Sequence, residues 1–427
     1  MNSYILVNNR KNYKVGRCKN VMVSEYDILY LLGSKGEMRF GEIAKALRRE
    51  KDYSNIYKRV VQLEKNEYVK RNGTVKIQAN DKTKKLYKLI LFCINNNLSY
   101  NFFFKKTVVN FIKKAAAREY FTIKDAKIHP QTFNLYITTL AKYGLLLTIS
   151  KRPLVCKLLR HSFIRELLEF FGESTEFYVP KYASLMPKIS AEMKKFQKFS
   201  THNKSTITNL EEQEEIKFIH TSLSLEGNPI TLSDTEKIIR DKISPKNYRI
   251  EHVQEVTNYK KAVDSMMQES WKKNKLSLSL ILDYHKIAMN HIHGAGEIRK
   301  ENVHIKGNPN FKTCDWQLLP QKLDDLISKY AEFEAKDRNV EEVIEFAAFF
   351  HNEFQRIHPF IDGNSRTSRL LMLHILRSHD FPVMDFPLGY TDEYMNLTKK
   401  SEKRDDGTFK KLIEELVFYN LRKANST

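Results

Sequence analysis

The chain has 427 residues, a formal net charge of +21, 41% hydrophobic and 29% charged residues. That balance excludes a disordered or low-complexity chain and leaves room for roughly two to four domains. No apolar run is long enough to span a membrane, Lys11, Lys14, Arg17 and Lys19 break any leader-like stretch, and Cys18, Cys93, Cys156 and Cys314 are too scattered for a zinc site or a disulfide framework, so a cytoplasmic, reducing setting is expected.

The charge is uneven. Residues 1–160 hold 33 Lys+Arg against 11 Asp+Glu, an excess of +22, which leaves 39 against 40 for residues 161–427. A basic module joined to a neutral one suits a nucleic-acid-facing arm, or a solvated basic surface that binds acidic protein. Along residues 21–80 an apolar helix comes first (Tyr26, Ile28, Leu29, Leu31, Leu32), ending near Gly33. A short helix follows (Phe40, Ile43, Ala44, Leu47), then a longer one from Asp52 to about Asn66 with Ile56, Val60 and Leu63 inward. Asn72-Gly73 between two β-prone runs signals a hairpin. Three helices and a basic hairpin resemble a winged helix-turn-helix domain, expected over residues 1–100. The resemblance implies DNA as partner, with Tyr53, Asn55, Lys58 and Arg59 as groove readers and Arg71 and Lys76 as wing contacts to phosphate. A winged helix used for protein contacts is the competing reading.

The pattern recurs more weakly over 101–172. Helices are expected at 105–117, 121–128 and 130–143, then a hairpin around Lys151-Arg152-Pro153. This second winged-helix-like domain fits either another DNA-binding module or a dimerisation spacer, so a homodimer is one arrangement the tandem allows. Residues 173–209, with Pro180, Pro187 and scattered lysines, read as a connector with a polar linker near 200–209.

From 210 to 427 the periodicity is mostly helical, making the fold class mainly α. One helix leads into Ser222-Leu223-Ser224-Leu225-Glu226-Gly227-Asn228, where Ser222 and Glu226 share a face and Gly227 suits a helix end. Further helices carry His285 and His351 on apolar sides, read as satisfied core histidines. Between them, Val303-His304-Ile305 precedes Gly307-Asn308-Pro309 and reads as a surface hairpin. The densest chemistry is His358-Pro359-Phe360-Ile361-Asp362-Gly363-Asn364-Ser365-Arg366-Thr367-Ser368-Arg369, between two helical runs. A helix N-terminus after Gly363-Asn364 is a ready anion site, and Arg366 and Arg369 lie on one helix face. Asp362 suits Mg²⁺ shared with phosphate, and His358 suits proton transfer near neutral pH.

This stretch resembles the Fic family signature, His-Pro-Phe-x-Asp/Glu-Gly-Asn-Gly-Arg-x-x-Arg, with Ser365 where the family usually has glycine. The resemblance implies an α-helical Fic domain over 210–427 with an N-terminal inhibitory helix and a small β-hairpin flap, Val303, His304 and Ile305 docking a target protein. It implies AMP transfer from ATP to a Ser, Thr or Tyr hydroxyl of that protein, with His358 as base. Asp362 would hold Mg²⁺, and Gly363, Asn364, Ser365, Arg366 and Arg369 would bind phosphates. Ser222 and Glu226 match the family's inhibitory motif, in which the glutamate pairs with the second motif arginine, here Arg369. Two alternatives stay open: removal of AMP with Glu226 activating water, and a nucleotide-sensing DNA-binding regulator without transferase activity. Ser365 leaves the nucleotide's pose and identity open, since a β-carbon there is strained if φ is positive.

Overall fold

The computed structural model describes residues 23–425, apart from 174–176, 178–183, 203, 246–247, 268–274, 306–307, 310 and 400–403. Cys18, the basic residues at 11–19, Pro180, Asn203 and Gly307 therefore lie outside the described residues. The chain is mainly α and groups into two compact units, residues 1–136 with 162–178, and 137–161 with 179–427.

In the first unit Ser24 caps α1 (Glu25–Lys35) by accepting from the Asp27 amide, while Asp27 accepts from the Ser24 amide. The helix runs past Gly33 to Gly36 at φ +85. A β-carbon at Gly33 would strike the Tyr87 ring, so this glycine serves close packing instead of a helix end. After α2 (Phe40–Ala46) and α3 (Tyr53–Lys65), β1 (Val69–Asn72) and β2 (Thr74–Ile77) pair antiparallel around Gly73 at φ +69. Met38, between α1 and α2, bridges to Val75 of the hairpin. Then come α4 (Asp81–Asn95), α5 (Tyr100–Phe103), α6 (Lys106–Ala116), α7 (Ile123–Ala126) and the first half of α8 (Pro130–Lys142). Edge-to-face rings of Phe111, Phe121 and Phe133 fill this part of the unit.

The expected second domain over 101–172 is not one compact unit. The division falls inside α8, and the hairpin of β3 (Leu146–Lys151) and β4 (Leu154–Leu158) belongs to the second unit, whereas α9 (Ser162–Phe170) belongs to the first. Burial explains this. Leu147, Ile149 and Leu159 join the apolar core of the C-terminal helices, the Gly389 amide donates to the Gly144 carbonyl at 2.8 Å, and Lys157 pairs with Glu415. The expected connector 173–209 also differs. In α10 (Met186–His202), Met186, Ile189, Met193 and Phe196 enter that same core, an apolar face at helical spacing hidden among lysines.

The second unit continues with α11 (Lys204–Ser224), α12 (Leu232–Arg240), α13 (Ile250–Met267), α14 (Leu278–Ala288), α15 (Leu319–Glu334), α16 (Val340–Ile357), α17 (Asn364–Ser378), α18 (Leu388–Thr398) and α19 (Asp406–Ala424). α17 is buried on every face from Arg366 to Leu376, so it is the axis of the unit. The expected flap hairpin is absent: residues 299–315 contain no strand among the described residues. Arg299 donates to the Glu301 and Cys314 carbonyls, a side-chain tie where a strand ladder was expected. Thr313 donates to Val303 at 3.0 Å, and turns close from Asn308 to Ile305 and from Phe311 to Asn308. No helix among the described residues is long and apolar enough to cross a membrane.

Candidate functional site

The loop 358–363 joins α16 to α17, and its shape is set by two left-handed residues. His358 ends α16 at φ 54 and ψ 59, and Gly363 caps α17 at φ 81 and ψ 4. Glycine is required at 363, because a β-carbon would lie 2.7 Å from Met289 Sδ and 3.1 Å from His285 Nε2. His285 is the strut beneath this loop. Its Nδ1 accepts from the Gly296 amide at 2.8 Å, so Nε2 carries the proton and donates to the Asp362 carbonyl at 2.9 Å. The ring stacks on Phe360 at 3.6 Å, and burial lowers its pKa to about 4, which keeps it neutral.

His358 is buried. Its Nδ1 meets the Gln355 carbonyl at 3.2 Å, which can only accept, so the proton sits on Nδ1 and the Nε2 lone pair is left over. Burial lowers its pKa to about 4, against the opposing pull of the Gln355 carbonyl. The His358 carbonyl accepts Arg299 Nε at 2.8 Å, and the Arg299 amide donates to the Pro359 carbonyl at 2.9 Å. Arg299 thus fixes the backbone around His358, a role that no motif or spacing in the sequence indicates.

Asn364 departs from expectation. Its Oδ1 accepts the Phe360 amide at 2.9 Å and its Nδ2 donates to the Phe360 carbonyl at 2.8 Å, so the side chain staples the loop and does not line an anion nest. The Gly363 amide is likewise taken, donating to Asp362 Oδ1 at 2.6 Å. The first-turn amides of α17, from Asn364 to Arg366, are the donors that a helix start leaves for an anion. Ser365 lies in that turn, partly exposed and without a positive φ, so its β-carbon carries no left-handed strain. Asp362 keeps 60% of its side chain exposed and meets Arg366 at 3.1 Å. Each of its oxygens retains a lone pair, which suits one carboxylate contact to Mg²⁺ with phosphate oxygens supplying others. Among the described residues no group of three His, Cys, Asp or Glu side chains could hold a metal alone.

Arg366 and Arg369 are both buried, and the Nε of Arg366 has no partner. Arg369 reaches across to the end of α11. Its Nε donates to Ser222 Oγ at 2.7 Å, and its Nη2 to the Ser222 carbonyl at 2.8 Å and Glu226 Oε1 at 2.7 Å. The Glu226 contact is single, not the two-pronged pair expected for arginine and carboxylate, and Ser222 and the Tyr394 hydroxyl take three of the other four donors. Burial opposes the Arg369 charge, but Tyr394, Glu226 and Tyr259 outweigh it and keep the guanidinium protonated. Ser222 Oγ donates to Tyr259 at 2.9 Å, whose hydroxyl donates to the Arg366 carbonyl at 3.0 Å. Tyr259 and Tyr394 look like ordinary apolar positions of a helix in the sequence.

Of the flap residues, Val303 and Ile305 are half-buried and His304 is exposed. In the first unit, Tyr53, Lys58 and Lys76 are exposed as expected of surface readers. Arg59 instead pairs with Glu25 at 2.9 Å, Arg71 pairs with Glu64, and Asn55 donates to Asp52 at 3.3 Å. Carboxylates nearby in the fold accept from these three, although Arg59 Nε is left without a partner. Tyr57, not singled out from the sequence, is 46% exposed one turn beyond Tyr53.

The loop 358–363, the start of α17 and the two buried arginines form one constellation. Residues 275–376 match the Fic/DOC family. The chain is 27% identical over 199 residues to the protein adenylyltransferase Fic of Drosophila grimshawi, covering 46% of this chain and 40% of that protein. With its counterpart from Drosophila willistoni it is 26% identical over 213 residues, 49% and 42% of the two chains. The match thus spans less than half the length of these relatives. A Fic domain containing signaling protein from Bacteroides thetaiotaomicron shares the fold, at a TM-score of 0.50 and 19% identity over 57% of this chain and 96% of that one.

Proposed function

We propose that the second unit is a protein adenylyltransferase held in an inhibited state by Glu226, and that it works in the cytosol. The observation that carries the reading is the Glu226 carboxylate at 2.7 Å from Arg369, at the anion-binding start of the motif helix and in the same motif as a neutral His358. The naming of the relatives as adenylyltransferases supports the reaction type. A target Ser, Thr or Tyr oxygen attacks the α-phosphorus of ATP, its proton passes to His358 Nε2, and the bond from the α-phosphorus to the bridging oxygen breaks. AMP ends on the target and pyrophosphate leaves. The α17 amides and Arg366 and Arg369 hold the phosphates, so positioning and charge do most of the work. Asp362 would hold Mg²⁺, which would neutralise charge on the phosphates. A buried ring with a pKa near 4 is a weak base in the empty site, and the negative charge of a bound triphosphate raises it toward the working range. Val303, His304 and Ile305 stand as the target-docking segment.

The first unit is read as the DNA-binding arm, with Tyr53, Tyr57 and Lys58 on α3 and Lys76 on the hairpin as contacts. Its basic excess and these exposed side chains support that reading. The test is incubation with α-labelled ATP and Mg²⁺ of wild type, Glu226→Gly and His358→Ala. Self-labelling gained in Glu226→Gly and absent in His358→Ala is expected. Nucleotide binding without label in any variant would leave a sensor and not a transferase. Release of AMP from a modified target that Glu226→Gly loses would reverse the direction.

A further inference from the structure

A buried guanidinium needs an acceptor for nearly every N–H, and the acceptors around Arg369 are not equivalent. Among the described residues only one of its four hydrogen bonds goes to Glu226; two go to Ser222 and one, at 3.3 Å, to the Tyr394 hydroxyl. The Tyr394 hydroxyl ends a chain whose direction is dictated from both ends. Arg369 can only donate and an ionised Asp406 can only accept. Asn352 Nδ2 donates to Asp406 Oδ1 at 2.9 Å, so Asn352 Oδ1 is the acceptor for His351 Nδ1–H at 3.1 Å. His351 Nε2 then holds a lone pair and accepts the Tyr394 O–H at 2.9 Å. Tyr394 is therefore bound to turn a lone pair, not its proton, toward Arg369. Arg404 Nε donates to the second oxygen of Asp406 at 2.9 Å, so both oxygens of that carboxylate accept. Phe409 stacks on the His351 ring at 5.0 Å and fixes its plane, and burial keeps the ring neutral, as this proton order demands.

The geometry points to Tyr394, oriented by His351, as a positioning residue that holds the Arg369 guanidinium ready for the distal phosphates of a nucleotide after Glu226 has left. Glu226 is then an occupant of the anion seat and not its support. This rests on the nucleotide-transfer reading, and it separates two tasks that a single Arg–Glu pair would merge. Ser222 and Tyr394 build the seat, and Glu226 fills it.

The test is calorimetric binding of ATP and of AMP to the full chain in a Glu226→Gly background, alone and with Tyr394→Phe, His351→Phe or His351→Gln added. Phenylalanine keeps each ring's bulk but breaks the chain. Glutamine at 351 restores an acceptor toward Tyr394 and a donor toward Asn352. Loss of one hydrogen bond to a charged group predicts an ATP Kd weaker by about tenfold in Tyr394→Phe and His351→Phe, with recovery to within about threefold in His351→Gln. The AMP Kd stays level throughout, since AMP has no distal phosphates for Arg369 to meet. Equal ATP affinity in all variants overturns the proposal, and so does AMP weakened as much as ATP, which is what general loosening of the core would give. Two routes to the same loss, through Tyr394 and through His351, keep the test decisive if either variant folds poorly. A Glu226→Gly protein that binds no ATP is a different result, the failure of the nucleotide reading itself.

Discussion

Replacing Glu226 by glycine removes the carboxylate that accepts one Arg369 N–H at 2.7 Å. A hydrogen bond between charged groups contributes about 1.5–3 kcal/mol net. Arg369 is 1% exposed and Glu226 is 30% exposed, so water reaches one partner and the lower half of that range applies, about 1.5–2 kcal/mol. A triphosphate must displace this contact before it can use Arg369. At about 1.4 kcal/mol per decade, its removal tightens ATP binding by roughly 10- to 30-fold. The same loss lowers the melting temperature by about 3–8 °C, since 1 kcal/mol moves a unit of this size by about 2–4 °C. Glu226→Gln keeps an acceptor without its charge and falls between the two. Calorimetry with ATP and thermal melts on the three proteins check both numbers. ATP bound no more tightly by Glu226→Gly than by wild type, with Arg369→Ala in that background losing the binding, would refute the reasoning, since Arg369 would then serve ATP with Glu226 no obstacle to it.

Ser365→Gly, which restores the residue usual in the family, is expected to leave the ATP Kd within about twofold and to lower stability by up to about 1 kcal/mol, because position 365 has no positive φ to relieve; a tenfold tightening would mean that the β-carbon crowds the phosphate. His220, His285 and His358 are held by burial near a pKa of about 4, and His351 near 3, whereas unfolded histidine titrates near 6.5. Between those values the unfolded chain takes up protons that the folded one refuses, so the urea midpoint should fall as pH drops from about 6.5 to about 4, and a flat profile would contradict it. In DNA-binding titrations Lys58→Ala and Lys76→Ala should each weaken affinity and reduce the salt slope by about one. Arg59→Ala should instead cost the first unit up to about 1 kcal/mol through loss of its Glu25 pair and leave DNA affinity unchanged, and a drop matching Lys58→Ala would return Arg59 to the binding face.

The parts of the chain that follow local rules were readable from the sequence. Asn72-Gly73 closes a hairpin, Gly363 takes the left-handed turn before α17, and the Ser222–Glu226 spacing brings both side chains to Arg369. What escaped depends on long-range partners. Nothing local marks Arg299 as the tie at His358, or Arg59 and Arg71 as already claimed by Glu25 and Glu64. Domain limits failed for a related reason. The second hairpin has the local pattern of a small separate module, but Leu147 and Ile149 find a larger apolar core elsewhere in the chain, and burial there outweighs the sequence's apparent modularity. The flap illustrates the converse, a β-prone run with no strand among the described residues, where an arginine ties Glu301 and Cys314 instead.

Ser222 carries a consequence for how this fold can be cut or recombined. It is wholly buried, and both its hydroxyl and its carbonyl hold Arg369. The stretch that matches the family, residues 275–376, stops well short of both Ser222 and Tyr394. A fragment limited to that stretch would carry a cationic side chain into its interior without the oxygens that accept its hydrogen bonds. The unit of inheritance must therefore be longer than the unit of recognition. Any transplant of this domain has to begin upstream of 222 and end downstream of 394, and the end of α11 travels with it as part of the core.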